Sequence, residues 1–388
     1  MTVGPQPEDG DLRPESGADA AAALKAAAAR GERVRAVGGA TKLGWGTPVE
    51  AARRDLHLAG LDRIVEHNEG DLTAVLEAGV PLGRAQEAFA GANQMMALDP
   101  HLGADGAATI GGIMATGDSG PLRHRYGGPR DLIIGVQVAM SDGVVARAGG
   151  KVIKNVAGYD LAKLFTGSFG TLGVILEVAV RLHPLGARTA TAVGEGGDPE
   201  LVARAAAEMA HARMEMECLD VRWEDGHGQV LARFGGTTGE AQADAARERL
   251  AAAGLHATAA ADDDDLWERQ RAGQRSEEGT VVRVSGVQSR LADVMGVADE
   301  LEARVVGRAA LGLSWVALEQ GDAVGGVARL REALAPHPCV VQDAPVEVRA
   351  ALDPWGSSEG APIELLRRMK ARFDPQGACN PGVYVGGI

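Results

Sequence analysis

The stretch GADGAATIGGIMATGDSG, residues 103–120, is the part of this chain around which the other motifs are arranged. It is rich in glycine, lacks aromatic residues and carries one apolar patch between Ile110 and Met114. Glycine lets a backbone adopt positive φ and approach a ligand closely, because it has no Cβ. A flexible surface linker is the alternative, but a linker has no use for an apolar patch. We therefore interpret the stretch as a ligand cradle, with hydroxyls from Thr109 and Ser119.

Composition is that of an ordinary globular protein and excludes several classes of partner. The 388 residues suffice for two domains or one large one. A formal net charge of −14 argues against nucleic acid and anionic lipid, and 3% aromatic residues argue against a base-stacking surface. No apolar run is long enough to span a membrane, and residues 1–14 are acidic where a signal peptide is basic. We expect a cytoplasmic protein, with any association with the inner membrane made through partners.

The sequence offers no clear metal or iron–sulfur site. Cys218, Cys339 and Cys379 lie far apart without a C-x-x-C motif, and a cluster held by one chain needs four thiolates. The histidines show no H-x-x-H or H-x-x-x-H pair, so we predict no metal. The acidic run Asp262–Asp265 is more typical of a solvated loop that opens a helix than of a metal site.

The first 185 residues predict short strands and helices separated by glycine. Residues 1–15 are rich in proline, glycine and acid, which predicts a disordered tail. Ser16 and Asp19 are typical of the N-cap of an Ala-rich helix that runs to about Arg30. The strand Val34–Val37 leads into VGGATK, a loop that presents backbone N–H groups to an anion or forms a structural turn. Further strands are predicted at 56–58, 64–65, 72–78, 132–140, 144–147 and 174–180, and helices at 82–90 and 160–165.

From about Leu185 to Val341 glycine becomes rarer and helices alternate with strands. The order strand–helix–strand–strand–helix occurs twice, which resembles two ferredoxin-like units in tandem. The predicted helices are 199–211, 239–253, 287–303 and 325–335, and the predicted strands are 216–223, 229–234, 280–285, 305–311 and 313–319. The last segment, with a helix at 362–372, regains glycine and proline and is expected to return to the first domain.

Four segments, in order, resemble one family. They are VGGATK at 37–42, ATIGGIMATGDSG at 108–120, NVAGYDLAKLFTGSFGTLGVILE at 155–177 and FDPQGACNPG at 373–382. Together they resemble the vanillyl-alcohol oxidase / p-cresol methylhydroxylase (PCMH) superfamily of flavoproteins, within it the FAD-binding subunits of glycolate-oxidising complexes. The resemblance implies an α+β fold: a PCMH-type FAD-binding domain of two subdomains with an inserted ferredoxin-like cap domain. The implied domains are 16–185 for FAD, 186–345 for the cap and 346–388 for the returning segment.

The resemblance also implies which residues bind FAD. The diphosphate is expected at Gly38, Gly39, Ala40 and Thr41 and at Thr109, Gly111 and Gly112. The ribityl chain and flavin ring are expected beside Thr116, Gly117, Ser119 and Gly120, with main-chain contacts from Gly170, Thr171, Gly173, Val174 and Ile175. Members that attach flavin covalently through the first loop place a histidine there, whereas this chain has Thr41 and Lys42. We therefore expect non-covalent FAD.

The implied function is that of the FAD-binding subunit of a glycolate oxidase or dehydrogenase complex. It would oxidise a 2-hydroxy acid, glycolate or D-lactate, with an iron–sulfur subunit and a second flavoprotein subunit as partners. Two alternatives stay open: a self-sufficient FAD-dependent oxidoreductase of another hydroxy acid or alcohol, and a non-catalytic FAD-carrying assembly subunit. We expect a substrate pocket near Arg283, Arg308 and His337, where an arginine would suit a carboxylate, but the sequence singles out no catalytic residue.

Overall fold

The computed structural model describes residues 10–49, 53–151, 160–186, 188–261, 263–319, 321–356 and 361–388. These residues form two compact units. Unit 1 takes its residues from Met1–Ser119, Gly127–Leu185 and Ser358–Ile388, and unit 2 from Gly120–Tyr126 and Gly186–Ser357. Each unit has its own core of buried apolar side chains. Within the described ranges, no helix has the length and apolar character needed to cross a membrane.

The chain up to Leu185 alternates short helices and strands. In chain order they are α1 (Gly17–Ala29), β1 (Val34–Val37), β2 (Arg54–His57), β3 (Ile64–Asn68), β4 (Thr73–Glu77), α2 (Leu82–Ala90), β5 (Gln94–Met95), α3 (Ile110–Thr116), α4 (Arg123–Tyr126), α5 (Pro129–Leu132), β6 (Ile133–Ala139), β7 (Val145–Gly149), α6 (Ala162–Phe165), β8 (Val174–Arg181) and β9 (His183–Pro184). A five-stranded antiparallel sheet has the order β3-β4-β8-β6-β7, while β1 pairs with β2 in parallel and β5 with β9.

Local signals correctly predicted several of these elements. Ser16 caps α1, because its hydroxyl accepts from the Asp19 amide and donates to the Asp19 carboxylate at 2.7 Å. The predicted bounds of β1 and α2 agree with the structure, and β6 and β7 form the predicted hairpin around Ser141–Gly143. The capping and turn residues decide these elements through contacts a few residues apart, so the sequence suffices to find them.

Residues 10–15 differ from the expected disordered tail. Leu12 lies alongside β2: its amide donates to the Asp55 carbonyl, and its carbonyl accepts from the His57 amide, both at 2.8 Å. Its side chain packs against the core of unit 1, which gives this polar segment one apolar anchor. The tail prediction for residues 1–9 lies outside the described residues.

The glycine-rich stretch folds around a helix that the sequence did not predict. Residues Ile110–Thr116 form α3, with Ile110, Ile113 and Met114 fully buried. Two glycines in a seven-residue helix oppose helix formation, by roughly 1 kcal/mol each relative to alanine. Burial of the apolar patch against β4 and β8 outweighs that propensity. The predicted apolar patch is therefore the buried side of a helix.

Unit 2 continues the chain with longer elements. They are β10 (Thr189–Gly196), α7 (Pro199–Ala210), β11 (Cys218–Glu224), β12 (His227–Gly235), α8 (Gly239–Ala252), β13 (His256–Ala260), α9 (Asp264–Ala272), β14 (Thr280–Ser285), α10 (Leu291–Glu300), β15 (Arg304–Arg308), β16 (Leu313–Leu318), α11 (Ala323–Ala333), β17 (Cys339–Asp343) and α12 (Val346–Ala351). The last helix, α13 (Ala361–Phe373), belongs to unit 1.

The sheet of unit 2 confirms the tandem ferredoxin-like prediction. Its eight strands are all antiparallel, in the order β13-β10-β12-β11-β15-β16-β14-β17. The first four strands have the order 4-1-3-2 of one β-α-β-β-α-β unit, and the last four have the same order reversed. The second strands of the two units, β11 and β15, join the halves. The sequence missed β10, β13 and β17, two of which form the edges.

The acidic run differs from the predicted solvated loop. Asp263 is buried and accepts hydrogen bonds from Thr189 at 2.9 Å and from Thr191 at 2.6 Å. Arg233 lies 3.7 Å from the same carboxylate. Because these partners lie on β10 and β12, the carboxylate anchors the start of α9 to the sheet. Asp264 and Asp265 do open α9, as predicted, and Asp262 lies outside the described residues.

Candidate functional site

Unit 1 contains a cavity of about 100 Å³ between the loop after β1, one side of α3, the loop after α6 and the C-terminal segment. Its walls combine backbone, small residues, two aromatic side chains and three cations. The lining residues are Arg35, Ala36, Gly38, Gly39, Ala40, Thr41, Lys42, Leu43, Trp45, Arg53, Thr109, Gly112, Ala115, Thr116, Phe169, Gly170, Asn380 and Val383.

The loop after β1 requires glycine because it lies against the start of α3. A Cβ on Gly38 would come within 2.2 Å of the Thr109 hydroxyl, and one on Gly39 within 1.6 Å of the Ala107 carbonyl. The next residue, Ala40, has a φ of 57°, which is unfavourable for a residue with a side chain. The double glycine therefore lets two backbone segments meet at one wall of the cavity.

The two glycines of α3 have different environments. Gly111 faces the core, where a Cβ would lie 2.7 Å from the Ala78 Cβ. Gly112 faces the cavity, and a Cβ there would meet only the Thr109 hydroxyl, at 3.4 Å. Thr109 is the N-cap of α3 and accepts from the Gly112 amide. One glycine thus permits packing, and the other keeps the cavity open.

Three cationic side chains line the cavity, and one of them, Arg35, is paired with Asp55 at 2.6 Å. Lys42 is almost fully buried, forms an ion pair with Asp118 at 3.3 Å and lies 5.8 Å from the centre of the Trp45 ring. Arg53 donates to the side-chain oxygen of Asn380 at 3.0 Å. Burial, followed by the charge of nearby Arg35, lowers the pKa of Arg53. An anionic group in this cavity would relieve that repulsion and would find backbone and hydroxyl donors around it.

Eight of the predicted site residues meet in this cavity. They are Gly38, Gly39, Ala40, Thr41, Thr109, Gly112, Thr116 and Gly170. Thr116 uses its hydroxyl within α3, where it donates to the Gly112 carbonyl at 2.8 Å.

The other eight predicted residues do not line the cavity. Gly111, Val174 and Ile175 are buried on the core side, Gly117 ends α3 with a φ of 67°, and Ser119 is buried after it. Thr171 donates to the Ser168 carbonyl, and Gly173 precedes β8 with a φ of 157°. Gly120 belongs to unit 2. The sequence analysis did not predict several of the lining residues. Phe169 and Asn380 lie inside the segments 155–177 and 373–382, so the resemblance could have found them. Arg53 lies outside all four segments, and no local pattern marks it.

In unit 2, the cavity beside two of the residues expected near a substrate is small. Arg308 is fully buried and donates to Asp220 at 2.7 Å and to the Gln274 side chain at 2.6 Å. Arg308 and His337 line a cavity of about 10 Å³, which is room for roughly one water molecule. Arg283 lies on β14, partly buried. Arg308 is therefore committed to a structural pair with Asp220 and is not available to bind a substrate carboxylate.

Comparison with known proteins finds a family match in the first part of the chain. Residues 9–149 match the family described as an FAD binding domain. The match contains β1, its glycine loop and α3, and it confirms FAD as the predicted cofactor. The alkyldihydroxyacetonephosphate synthase structure aligns over 95% of this chain and 76% of its own, with a TM-score of 0.69 and 14% identity. That likeness supports the predicted fold class: a PCMH-type FAD-binding fold.

Three curated relatives are similar over part of the chain. Glycolate oxidase subunit GlcE of Escherichia coli is 39% identical over 122 residues, which are 31% of this chain and 34% of the relative. Glycolate oxidase subunit GlcD of Bacillus subtilis is 36% identical over 150 residues, 38% of this chain and 31% of the relative. D-lactate dehydrogenase of Archaeoglobus fulgidus is 32% identical over 173 residues, which are 45% of this chain and 38% of the relative. The chain thus spans about a third of the length of each relative.

Proposed function

We propose that this chain, which has a PCMH-type FAD-binding fold and whose residues 9–149 belong to the FAD binding domain family, is the FAD-binding subunit of a complex that oxidises a 2-hydroxy acid. The observation that carries the proposal is the cavity of unit 1, where the glycine loop after β1 meets the start of α3. The names of the relatives, glycolate oxidase subunits and D-lactate dehydrogenases, support the choice of substrate class.

The residues present fit FAD. A diphosphate needs closely approaching backbone, hydroxyls and positive charge, and the cavity supplies them from Gly39, Thr41, Thr109, Lys42 and Arg53. A side chain at Gly112 would occupy that space. When bound, FAD supplies a two-electron acceptor for the carbon that bears the hydroxyl of the substrate.

We retain as proposed binding residues those that the resemblance implied, except Gly111, which packs against Ala78 in the core. The diphosphate would lie at Gly38, Gly39, Ala40, Thr41, Thr109 and Gly112, the flavin end at Thr116, Gly117, Ser119 and Gly120, and main-chain contacts at Gly170, Thr171, Gly173, Val174 and Ile175. The cofactor would be non-covalent, because residues 41 and 42 are threonine and lysine. Residues 16–185 and 346–388 would form the FAD domain and 186–345 the cap.

Electrons would leave through partner subunits. The three cysteines form no disulfide and are buried in separate places, two in unit 2 and one in unit 1. Because a four-thiolate cluster exceeds what this chain offers, we assign the iron–sulfur centre to a partner and add a second flavoprotein subunit. Reduced thiols also suit the cytoplasm, our proposed location, with the inner membrane reached only through those partners.

A second candidate is a non-catalytic subunit that carries FAD. The burial of Arg308 against Asp220 favours it, because it removes one arginine from the candidates for the substrate carboxylate. A self-sufficient oxidoreductase of another hydroxy acid or alcohol is the third possibility, and it differs by its turnover without partners.

The test is to purify the chain, bind FAD and titrate the complex anaerobically with glycolate and with D-lactate. We expect a yellow protein that releases FAD on acid precipitation and whose flavin absorbance bleaches with one of the acids. A yellow pellet would contradict the non-covalent site, and a protein that takes up no FAD would contradict the function.

Turnover separates the three candidates. With an artificial dye, we expect the isolated chain to be slow, and co-purified iron–sulfur and flavoprotein subunits to restore the rate. Rapid production of hydrogen peroxide by the chain alone, at roughly 1 s⁻¹ or faster, would favour the self-sufficient enzyme. FAD binding without bleaching in the assembled complex would favour the assembly subunit.

A further inference from the structure

One wall of the cavity is a loop in an unfavourable backbone conformation. After α6, Gly167, Phe169 and Gly170 have φ values of 73°, 55° and 71°. Positive φ is accessible to glycine but raises the energy of a residue such as Phe169. Phe169 and Gly170 both line the cavity. Contacts from elsewhere must therefore hold this loop, because its local preferences do not.

The end of α3 supplies some of those contacts, because the Met114 and Ala115 carbonyls accept from the Gly167 and Phe169 amides. The C-terminal segment supplies two more, one on each side of Gly170. The side-chain amide of Asn380 donates to the Phe169 carbonyl at 2.8 Å. The Lys370 ammonium donates to the Thr171 carbonyl at 2.7 Å. Each bond comes from about 200 residues away in the sequence, and together they hold the two carbonyls that flank Gly170.

Lys370 is itself held in place. Its three donors are used by the Thr171 carbonyl, by the Asp374 carboxylate at 2.6 Å and by the Cys379 carbonyl at 2.7 Å. The Asp374 side chain is fully buried and also accepts from the backbone amides of Ala378 and Cys379. Burial alone would raise the pKa of Asp374, but the bond and charge of Lys370, together with the Ser141 side chain and the hydrogen bond from the Cys379 amide, outweigh it, so that its pKa is lowered.

We infer that Lys370, oriented by Asp374, is a positioning residue that presets the 166–172 loop for the cofactor. It does not line the cavity and acts through the Thr171 carbonyl. Losing the ammonium would free the strained loop to relax, and FAD would then have to reorder it on binding. The inference about FAD affinity rests on the proposed function, whereas the effect on the loop does not.

The test compares Lys370→Met with Lys370→Arg and with Arg367→Met. Methionine has similar length and no donor, whereas arginine keeps charge and donors. Arg367 lies on the same helix in a half-exposed ion pair with Glu364 at 2.7 Å, so Arg367→Met is the matched control. The full chain is measured in three ways: FAD dissociation constant, free energy of unfolding without FAD, and hydrogen exchange of peptides covering 166–172.

For Lys370→Met we expect faster exchange in the 166–172 loop without FAD and an FAD dissociation constant raised about tenfold or more, where tenfold corresponds to 1.4 kcal/mol. Lys370→Arg should recover part of both effects, and Arg367→Met should show neither. Unchanged loop exchange and unchanged FAD affinity, with only a lower unfolding free energy, would overturn the inference.

The inference can still be tested if a variant does not fold or if FAD does not bind. If Lys370→Met fails to fold, Lys370→Gln, which keeps one donor group, takes its place with the same expectations. If neither parent nor variants bind FAD, the proposed function fails, and loop exchange alone decides the positioning role.

Discussion

At the scale of single residues, adjacent glycines in α3 serve opposite sides of the helix. Gly111 faces Ala78 in the core, and Gly112 faces the cavity. The sequence marks both as equal members of one motif. Only the folded helix shows which way a side chain at each position would point. At Gly111 it would point into the core, and at Gly112 it would point into the cavity proposed for binding.

Gly112→Val should abolish FAD binding while leaving the fold stable. The new side chain enters the cavity and meets only the Thr109 hydroxyl, at 3.4 Å from its Cβ. We expect the FAD dissociation constant to rise at least about a hundredfold, since 2.7 kcal/mol is readily lost to such a clash. Fluorescence titration with FAD measures this. An unchanged affinity would exclude this face of α3 from the site.

Gly111→Ala is the matched comparison and should have the opposite effect: it should lower the stability of the fold and leave the cavity open. Its Cβ would lie 2.7 Å from the Ala78 Cβ and 2.9 Å from the Ala78 carbonyl, so the core must shift. Overpacking of this kind lowers the free energy of unfolding by about 1–3 kcal/mol. Urea unfolding without FAD should show a loss for Gly111→Ala that Gly112→Val lacks.

At the scale of elements, a buried polar network joins β11, β15 and α9 in unit 2. Arg308 and Gln270 both donate to the Asp220 carboxylate, at 2.7 and 2.9 Å. The Arg308 guanidinium also lies 4.8 Å from the centre of the Trp315 ring. Because β11 and β15 are the strands that join the two ferredoxin-like halves, this pair acts at the seam of the sheet.

Arg308→Met should destabilise unit 2 strongly. It leaves the Asp220 carboxylate buried without its cation, which lowers the free energy of unfolding by about 3–5 kcal/mol. Arg308→Met with Asp220→Leu should recover more than half of that loss, because neither charge then remains buried. Arg304→Met is the control. Arg304 lies on β15 like Arg308, but it is a third exposed and pairs with Glu319 after β16, so its loss should change the free energy of unfolding by less than about 1 kcal/mol. A double variant as unstable as the single one would contradict this account.

At the scale of the whole molecule, two separate cores predict two unfolding transitions. The apolar cluster of unit 1 draws on α1, α3 and β8, and that of unit 2 on α7, α8 and α10. The cavity belongs to unit 1 alone. A ligand that binds only one folded unit should stabilise that unit by mass action.

Calorimetry with and without FAD measures this effect. At a hundred times the dissociation constant, FAD should stabilise unit 1 by about 2.7 kcal/mol and raise its midpoint by roughly 5–10 °C. The other transition should stay in place. Trp45→Phe leaves tryptophan only in unit 2 (Trp223, Trp267, Trp315 and Trp355), so its fluorescence without FAD identifies the second transition. A single transition that moves as a whole would contradict the prediction.

The sequence by itself determined the elements that depend on neighbouring residues. Ser16 and Asp19 begin α1, and the bounds of α2 follow from its flanking proline and glycine. The order of helices and strands in unit 2 was enough to predict two ferredoxin-like units, because each depends on a repeated local pattern. Eight of the residues that line the cavity were also predicted, since glycine loops mark where a backbone must approach something closely.

Only the tertiary structure decided the rest, because those features depend on residues far apart in the chain. α3 forms in spite of its glycines once its apolar side is buried. Arg53 and Asn380 are separated by 327 positions and form a hydrogen bond at one cavity wall. Asp220 and Arg308 are separated by 88 positions and form a buried ion pair. The edge strands β13 and β17 gain their pairing from the sheet and not from their own composition. A side chain's partner across such distances is set by packing, which no local pattern encodes.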